Sequence, residues 1–326
     1  MTAAEQTQKI KHLADQLGFD ACGIAKAEPI GRSSYLRAWL DAGRAGTMEY
    51  LHRHFEKRAD PRELLPGARS VIVVAQLYHQ SPPESGDRPA SGNDPAAQPD
   101  DEPPPRGRVA MYAWGRDYHD VLRHKLWTLV DRLRRVVPEP FDVRVCVDTA
   151  PLLERELAAA AGIGWIGKNT LVLSDRLGSY FFLGAVVTTL DLAADEPMPD
   201  HCGACTACLD ACPTAAFPAA HQMDASRCIS YLTIEHRGDI SRPFQELMGD
   251  WMFGCDVCQQ VCPFNRHAPL GAEPQFAARP PAPTMDPEAV LGWSPDDYRR
   301  NLSGSAMKRA TLDMLQRNAR IVSRNA

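Results

Sequence analysis

The sequence is defined first by what it lacks. No run of about 18 apolar residues is present, which is what a helix needs to cross a bilayer. Residues 1–20, MTAAEQTQKIKHLADQLGFD, lack the charged-then-apolar layout of a secretion signal and read as an amphipathic helix. A cytoplasmic protein is expected. Positive charge is not in excess: the net charge is −5. That gives no global argument for a nucleic-acid partner, so any such contact must come from a local basic patch. No internal repeat is visible apart from two cysteine runs. What is present is 326 residues of ordinary hydrophobic content and mixed charge, enough for two or three small globular domains with real cores.

Ten cysteines carry the strongest signal. Cys22 and Cys146 stand alone and read as small buried hydrophobes. The other eight lie between Cys202 and Cys262. In a reducing compartment such a set argues for metal or redox chemistry rather than disulfides. Residues 202–213 read CGACTACLDACP; Cys228 follows, then CDVCQQVCP at 255–263. Cys-x2-Cys-x2-Cys-x3-Cys-Pro is the bacterial two-cluster ferredoxin signature, in which the fourth cysteine ligates the other cluster. One 4Fe–4S cluster is therefore assigned to Cys202, Cys205, Cys208 and Cys262, the other to Cys212, Cys228, Cys255 and Cys258. Zinc is the alternative for bare Cys-x2-Cys pairs, but the Cys-Pro runs are far more specific than such a pair.

Elsewhere the pattern is mixed. Ile10, Leu13 and Leu17 have helical spacing over 3–17, with Gly18 as C-cap. A helix is expected over 33–42, capped by Ser33 or Ser34. VIVVA at 71–75 reads as a buried strand after a Pro66-Gly67 turn. Residues 82–106 hold eight prolines and read as a flexible surface loop. Val121, Leu122, Leu126, Leu129, Val130 and Leu133 form a helical stripe. Strands are expected at 142–147 and 180–190, with a helix opened by Pro151 and running through Ala161. The fold class reads as α+β/α/β overall, with alternating strands and helices indicating an α/β domain over 1–195. A ferredoxin-like domain follows at 196–266. The helical tail, 267–326, begins proline-rich and ends as a helix over about 305–323.

A ferredoxin alone needs none of residues 1–195, so that domain is expected to hold the electron acceptor. Asp148 sits at the carboxyl end of a predicted strand, where α/β proteins bind ligands. A helix N-cap is the bland alternative for it. Gly162, Gly164 and Gly167 surround Trp165 and allow close backbone approach. GIGWIGK itself is neither a dinucleotide fingerprint nor a P-loop.

Seven segments stand out together: RADPRELLPGARSVIVVA at 58–75, YAWGRDYHDVLR at 112–123, VDTAPLLERELAAAAGIGWIGKNTLVL at 147–173, GSYFFLG at 178–184, RCISYLTIEHRGDI at 227–240, FGCDVCQQVCPFNR at 253–266 and GSAMKRATLDMLQRNA at 304–319. On these the chain resembles the epoxyqueuosine reductase family, cobalamin-dependent iron–sulfur enzymes of tRNA modification. The resemblance implies reduction of epoxyqueuosine to queuosine at the wobble position of tRNA, with cobalamin in the α/β domain reduced through the clusters by an external low-potential donor. Asp148 matches the family's proposed proton donor, which needs a carboxyl held protonated by desolvation. The resemblance further places Arg58, Asp148, Lys168, Asn169, Val172, Ser174, Ile229, Ser230 and Asp256 near the cofactor, and implies a monomer.

For tRNA, the run from Arg299 carries Arg300, Lys308, Arg309, Arg317, Arg320 and Arg324 against Asp313 alone, a plausible phosphate-binding face. Arg155, His236 and Arg237 are further candidates. Some relatives continue into HEAT-like repeats, for which this sequence has no room after residue 319. A corrinoid reductive dehalogenase would usually carry a twin-arginine signal, and none is present. An electron-transfer adapter would carry clusters without binding a corrin.

Overall fold

The structure, a computed structural model, describes residues 1–81 and 106–325. The expected flexible loop at 82–106 therefore lies outside the described residues apart from Arg106. The strands are β1 (Ala21–Lys26), β2 (Ser70–Leu77), β3 (Gly107–Val109), β4 (Val143–Cys146), β5 (Trp165–Ile166), β6 (Val172–Leu173), β7 (Phe181–Thr188), β8 (Trp251–Phe253) and β9 (Thr284–Met285). The helices that position the site are α1 (Ala3–Gln16), α2 (Ser33–Asp41), α3 (Phe55–Ala59), α4 (Tyr118–Val136), α5 (Glu154–Ala160), α6 (Ala207–Asp210) and α7 (Ile229–Ile234).

The main sheet has the order β1-β2-β7-β4, and every pairing in it is antiparallel. This corrects the α/β expectation. Element order along the chain alternates, but the strands do not run parallel, so the carboxyl-end rule does not explain where Asp148 sits. All eight residues of β2 are buried, because helices cover both faces of the sheet. Ile72 and Val74 pack with the α4 stripe. Val71, Val73 and Ala75 point the other way, to Leu157 and Ala158 of α5, as the two-residue period of a strand requires. The six predicted residues of the α4 stripe are all buried.

Several helix ends differ from expectation. α1 is closed at its start by a capping box of Thr2 and Glu5. It ends with Leu17 at the C-cap, and Gly18 follows at φ +73°. The N-cap of α2 is Arg32, without a side-chain bond, and Ser33 is already helical. α5 starts at Glu154 rather than Pro151, since residues 148–153 are used in the turn that presents Asp148. The last helix runs Leu312–Asn325. It is separated from a 3-10 turn at Ala306–Arg309, which Ser305 caps and an extended Ala310 closes.

A second sheet, β8-β3-β9, joins β3 to two strands more than 140 residues further along the chain: β3 is parallel to β8 and antiparallel to β9. Asn318 of the last helix is fully buried and donates to the carbonyls of Thr233 and Met252, at 2.9 Å each. It thereby locks that helix to α7 and β8.

Gly23 of β1 lies against α5: a Cβ there would stand 2.0 Å from the Ala161 carbonyl oxygen. Gly23→Ala is expected to cost about 1–3 kcal/mol by overpacking, measured as a lower denaturation midpoint with unchanged m-value.

Candidate active site and cysteine centres

After β4 the chain turns sharply at Asp148, which adopts φ +51°, a region Asp tolerates better than most residues. Its amide donates to Glu154 Oε1 at 2.8 Å. Its Oδ2 stands 3.2 Å from His119 Nε2. Asp117, the N-cap of α4, accepts the His119 amide, and its Oδ1 lies 2.6 Å from His119 Nδ1. One imidazole is thus held between two carboxylates. Tyr118 stacks on that imidazole at 4.1 Å and on Phe182 at 4.2 Å, which fixes its plane.

The charges follow from this geometry. Burial disfavours the His119 cation, but hydrogen bonds and charge from Asp117 and Asp148 outweigh it and raise the imidazole to about 9. Asp148 lies in an open cleft: protein crowds it, yet its side chain is 60% exposed. Burial pushes its pKa up, but His119, the Tyr118 hydroxyl and Arg155 together hold it below the usual carboxylate range. The expectation that desolvation keeps a proton on Asp148 is therefore corrected, because ion pairing wins. The N-cap alternative fails as well, since Leu153 holds that position in α5. Glu154 is pushed up to about 8 by burial, then by the Asp148 charge.

Arg58, on α3, faces the same cleft, where Tyr50, Asp148 and Glu154 act on its charge. Its Nε is buried with no hydrogen-bond partner. A guanidinium left short of an acceptor fits an anionic group of a bound cofactor or substrate.

The cysteines gather in two places. Cys202, Cys205, Cys208 and Cys262 line one pocket together with Lys168, Asn169 and Phe264. Cys228 acts on the ionisation of Cys255 and Cys258, Cys255 on that of Cys258, and Cys212 on those of Cys228 and Cys255. Cys258 also feels Cys208, so the two groups adjoin. α6 carries Cys208, and the short helix Val257–Gln260 packed against it carries Cys258. No disulfide joins any of the ten cysteines. Burial pushes Cys208 up to about 11 and Cys255 to about 12. Thiolates there need a bound metal's charge to hold them. Asn169 Nδ2, in the first pocket, and Trp165 Nε1, whose ring packs against Cys202 and Cys262, are buried donors without partners. Eight thiols in two adjoining sets of four, with spare N–H groups beside them, fit two iron–sulfur clusters. Cys22 and Cys146 pack into the hydrophobic layers on opposite faces of the main sheet.

The remaining predicted cofactor contacts are scattered. Lys168 Nζ donates to the carbonyls of Gly203 at 2.6 Å and Cys205 at 2.9 Å, tying down the first cysteine loop. Ser174 Oγ accepts from the amides of Arg176 and Leu177 within its own turn. It lines a different surface pocket, with Lys11 and Cys22. Asp256 is buried, accepts the Met111 amide at 2.7 Å and is pushed up to about 6 by burial. Val172 is buried in β6, and Ile229 and Ser230 open α7 behind Cys228 as N-cap.

The basic tail is largely paired within the protein. Arg299 bonds Asp296 and Arg300 bonds Asp297. Arg317 is a strut to the carbonyls of Leu232, His236 and Gly238. Arg309 pairs with both oxygens of Glu235 at 2.6 and 2.9 Å and lies 5.3 Å over the half-exposed Tyr50 ring. Arg237 meets Met314 Sδ, and His236 Nε2 lies 2.9 Å from the Asp239 carbonyl. Arg155 donates to the Thr170 carbonyl at 2.8 Å, and Lys308 is exposed. The predicted basic face thus shrinks, because acidic residues just upstream of Arg299 neutralise its first members.

Sequence reasoning missed His119, Asp117 and Glu154. Their signal was the Asp-x-His pair at a helix start, which shows nothing of the partner reached through the fold.

Comparison with known proteins adds an independent line. A family model described as "Epoxyqueuosine reductase QueG, DUF1730" matches residues 58–149, which include Arg58, the His119 pair and Asp148. A second, "4Fe-4S double cluster binding domain", matches residues 201–265 and all eight clustered cysteines. The epoxyqueuosine reductase of Xanthomonas campestris is 40% identical over 98% of this chain and 86% of that protein. A crystal structure of selenomethionine-labelled epoxyqueuosine reductase superposes with TM-score 0.88 at 30% identity, covering 100% of this chain and 84% of the other. An epoxyqueuosine reductase bound to an epoxyqueuosine-modified tRNA-Tyr stem loop gives 0.87 at 30% identity, covering 99% and 82%. With such identity over nearly its whole length, the chain belongs to the epoxyqueuosine reductase family.

Proposed function

We propose that this chain reduces the epoxide of epoxyqueuosine in a tRNA anticodon to the alkene of queuosine, taking two electrons and two protons and releasing water. The observation that carries the chemistry is the Asp117–His119–Asp148 array with Glu154 beside it. When bound, two 4Fe–4S clusters on the cysteine sets and a cobalamin against residues 1–195 supply the low-potential electrons. The protein's part is the protons. Expelling an alkoxide unaided is slow, so a positioned acid is needed. At neutral pH the site carries two mobile protons, one on His119 and one on Glu154, matching the two the reaction consumes. Asp148, between them and open to the cleft, passes the His119 proton to the epoxide oxygen. Water exclusion by substrate weakens its ionised form, and that favours the transfer.

Arg58 offers its free Nε to an anionic group, and Asn169, Val172, Ile229, Ser230 and Asp256 are retained as candidates near the cofactor. Lys168 and Ser174 are weaker candidates, since each already has a structural task. On the substrate side Arg155, His236, Arg237, Lys308 and Arg309 are retained as candidate tRNA contacts. An external low-potential donor, a monomeric state and a cytoplasmic location complete the reading. No described helix is long and apolar enough to cross a membrane.

The test is anaerobic reconstitution with iron, sulfide and cobalamin, then nucleoside analysis of epoxyqueuosine-containing tRNA. Conversion to queuosine is expected, and cluster-loaded protein with no corrin affinity and no conversion overturns the reading. The proton route has its own signature. Glu154 is protonated below about 8 and His119 below about 9, so kcat/KM is expected to be sustained at neutral pH and to fall in two limbs, the first near 8 from Glu154 and the second near 9 from His119. His119→Gln is expected to lower kcat and to remove or shift that limb. An unchanged pH profile in the variant sinks the relay. His119 also bears on stability. Its folded pKa is raised, so its contribution is complete below the unfolded value of about 6.5 and is lost as pH rises through about 9.

A further inference from the structure

Trp165 sits on β5, paired across the hairpin with Leu173, and is 2% exposed. Its ring is held edge-on by His201 and Phe264, each at 4.9 Å. His201 precedes Cys202 and Phe264 follows Cys262 by two residues, so the indole is clamped by the neighbours of two cysteines of one set. Its Nε1 has no hydrogen-bond partner, and its ring packs against Cys202 and Cys262. Asn169 lines the pocket of that cysteine set and is also 2% exposed. Its Oδ1 accepts the Leu171 amide at 3.2 Å, which fixes the NH2 end of the side chain, and that end too is without a partner.

Buried N–H groups are almost always paired. Among the described residues only one other buried side-chain atom lacks a partner, Arg58 Nε in the active cleft. Two orphans therefore fall at one cysteine set and none at Cys212, Cys228, Cys255 and Cys258. The first set also includes the exposed Cys205, so it is the one that an external donor reaches.

We propose that Trp165 Nε1 and Asn169 Nδ2 donate N–H···S bonds to the sulfurs of the cluster held by Cys202, Cys205, Cys208 and Cys262, raising its potential above that of its neighbour and making it the point of electron entry. This rests on the two-cluster reading above. Such bonds stabilise the more negative, reduced cluster, and hydrogen bonding to sulfur is an established determinant of cluster potential. The step is a one-electron reduction of that cluster by a low-potential one-electron donor. Trp165 and Asn169 act through the sulfurs and are tuning residues.

The experiment is an EPR-monitored redox titration with dithionite of reconstituted wild type, Trp165→Phe and Asn169→Ala, after iron and sulfide analysis. In each variant one cluster signal is expected to become about tenfold harder to reduce at fixed poise, about 59 mV for one electron, while the other holds its midpoint. Full iron with both midpoints unchanged overturns the proposal. Wild type that takes up no iron overturns the cluster reading beneath it, and the iron assay reveals this before any potential is measured. Should the variants load poorly, wild type labelled with 15N-indole tryptophan decides: a 15N hyperfine coupling to a reduced cluster is expected, and its absence overturns the proposal.

Discussion

Asp148→Asn is expected to lower turnover by about 10²–10⁴-fold, the range for removing a positioned acid, while leaving tRNA binding and cluster content intact. Asn is the informative replacement. Asp148 holds φ +51°, and Asn tolerates that region where most residues strain. The turn and its amide bond to Glu154 should persist, so the loss reports the missing carboxylate and not a moved loop. Asn also keeps a polar atom facing His119, but it cannot take up the His119 proton and release it to substrate. His119 then keeps Asp117 as its only carboxylate partner, and its pKa falls. Single-turnover rates on epoxyqueuosine tRNA, with binding measured separately, check this. Full turnover by the variant would remove Asp148 from the reaction.

Cys258→Ser is expected to abolish turnover and to remove about four of about eight irons. Serine supplies a hydroxyl that does not ionise as a thiol does, so its cluster loses one of four ligands. Cys258 lies where the two cysteine sets adjoin, acted on by both Cys228 and Cys208. The lost cluster is expected to be the one assigned to Cys212, Cys228, Cys255 and Cys258. The first set, lined by Lys168 and Asn169, should still load. Iron, sulfide and EPR analysis read the outcome, and retention of all the iron with normal activity would contradict the ligand assignment.

What was legible in the sequence follows from range. The α4 stripe and the β2 run were readable because each reflects a local period against a fixed core: all six stripe residues and all eight strand residues are buried. The cysteine spacing was readable because metal ligation leaves a local imprint. Strand direction was not, since order along the chain carries no sign of whether β2 and β7 run together or opposed. The start of α5 was misplaced for a related reason. Pro151 signals a helix, but residues 148–153 are used to turn Asp148 toward His119, a partner on another element. The protonation of Asp148 was misjudged in the same way: desolvation could be guessed from the sequence, whereas the compensating imidazole could not. The basic tail was overrated because charge was counted from Arg299, just past the acids at 296 and 297 that pair with it.

The small β8-β3-β9 sheet also bears on how the protein is made. Arg108 pairs with Trp251 on one side and with Thr284 on the other, so its edges close only when residues far apart in the chain have all left the ribosome. Long closures of this kind slow folding. The segment that carries Cys255 and Cys258 directly follows β8, and Asn318 fastens β8 from the last helix. Cys255 and Cys258 therefore reach their final arrangement late, after synthesis of the Leu312–Asn325 helix. On that order of emergence, iron–sulfur assembly on their set is expected to follow synthesis of the whole chain, and a nascent chain stopped between residues 262 and 312 would carry all eight clustered thiols without the helix that fastens β8.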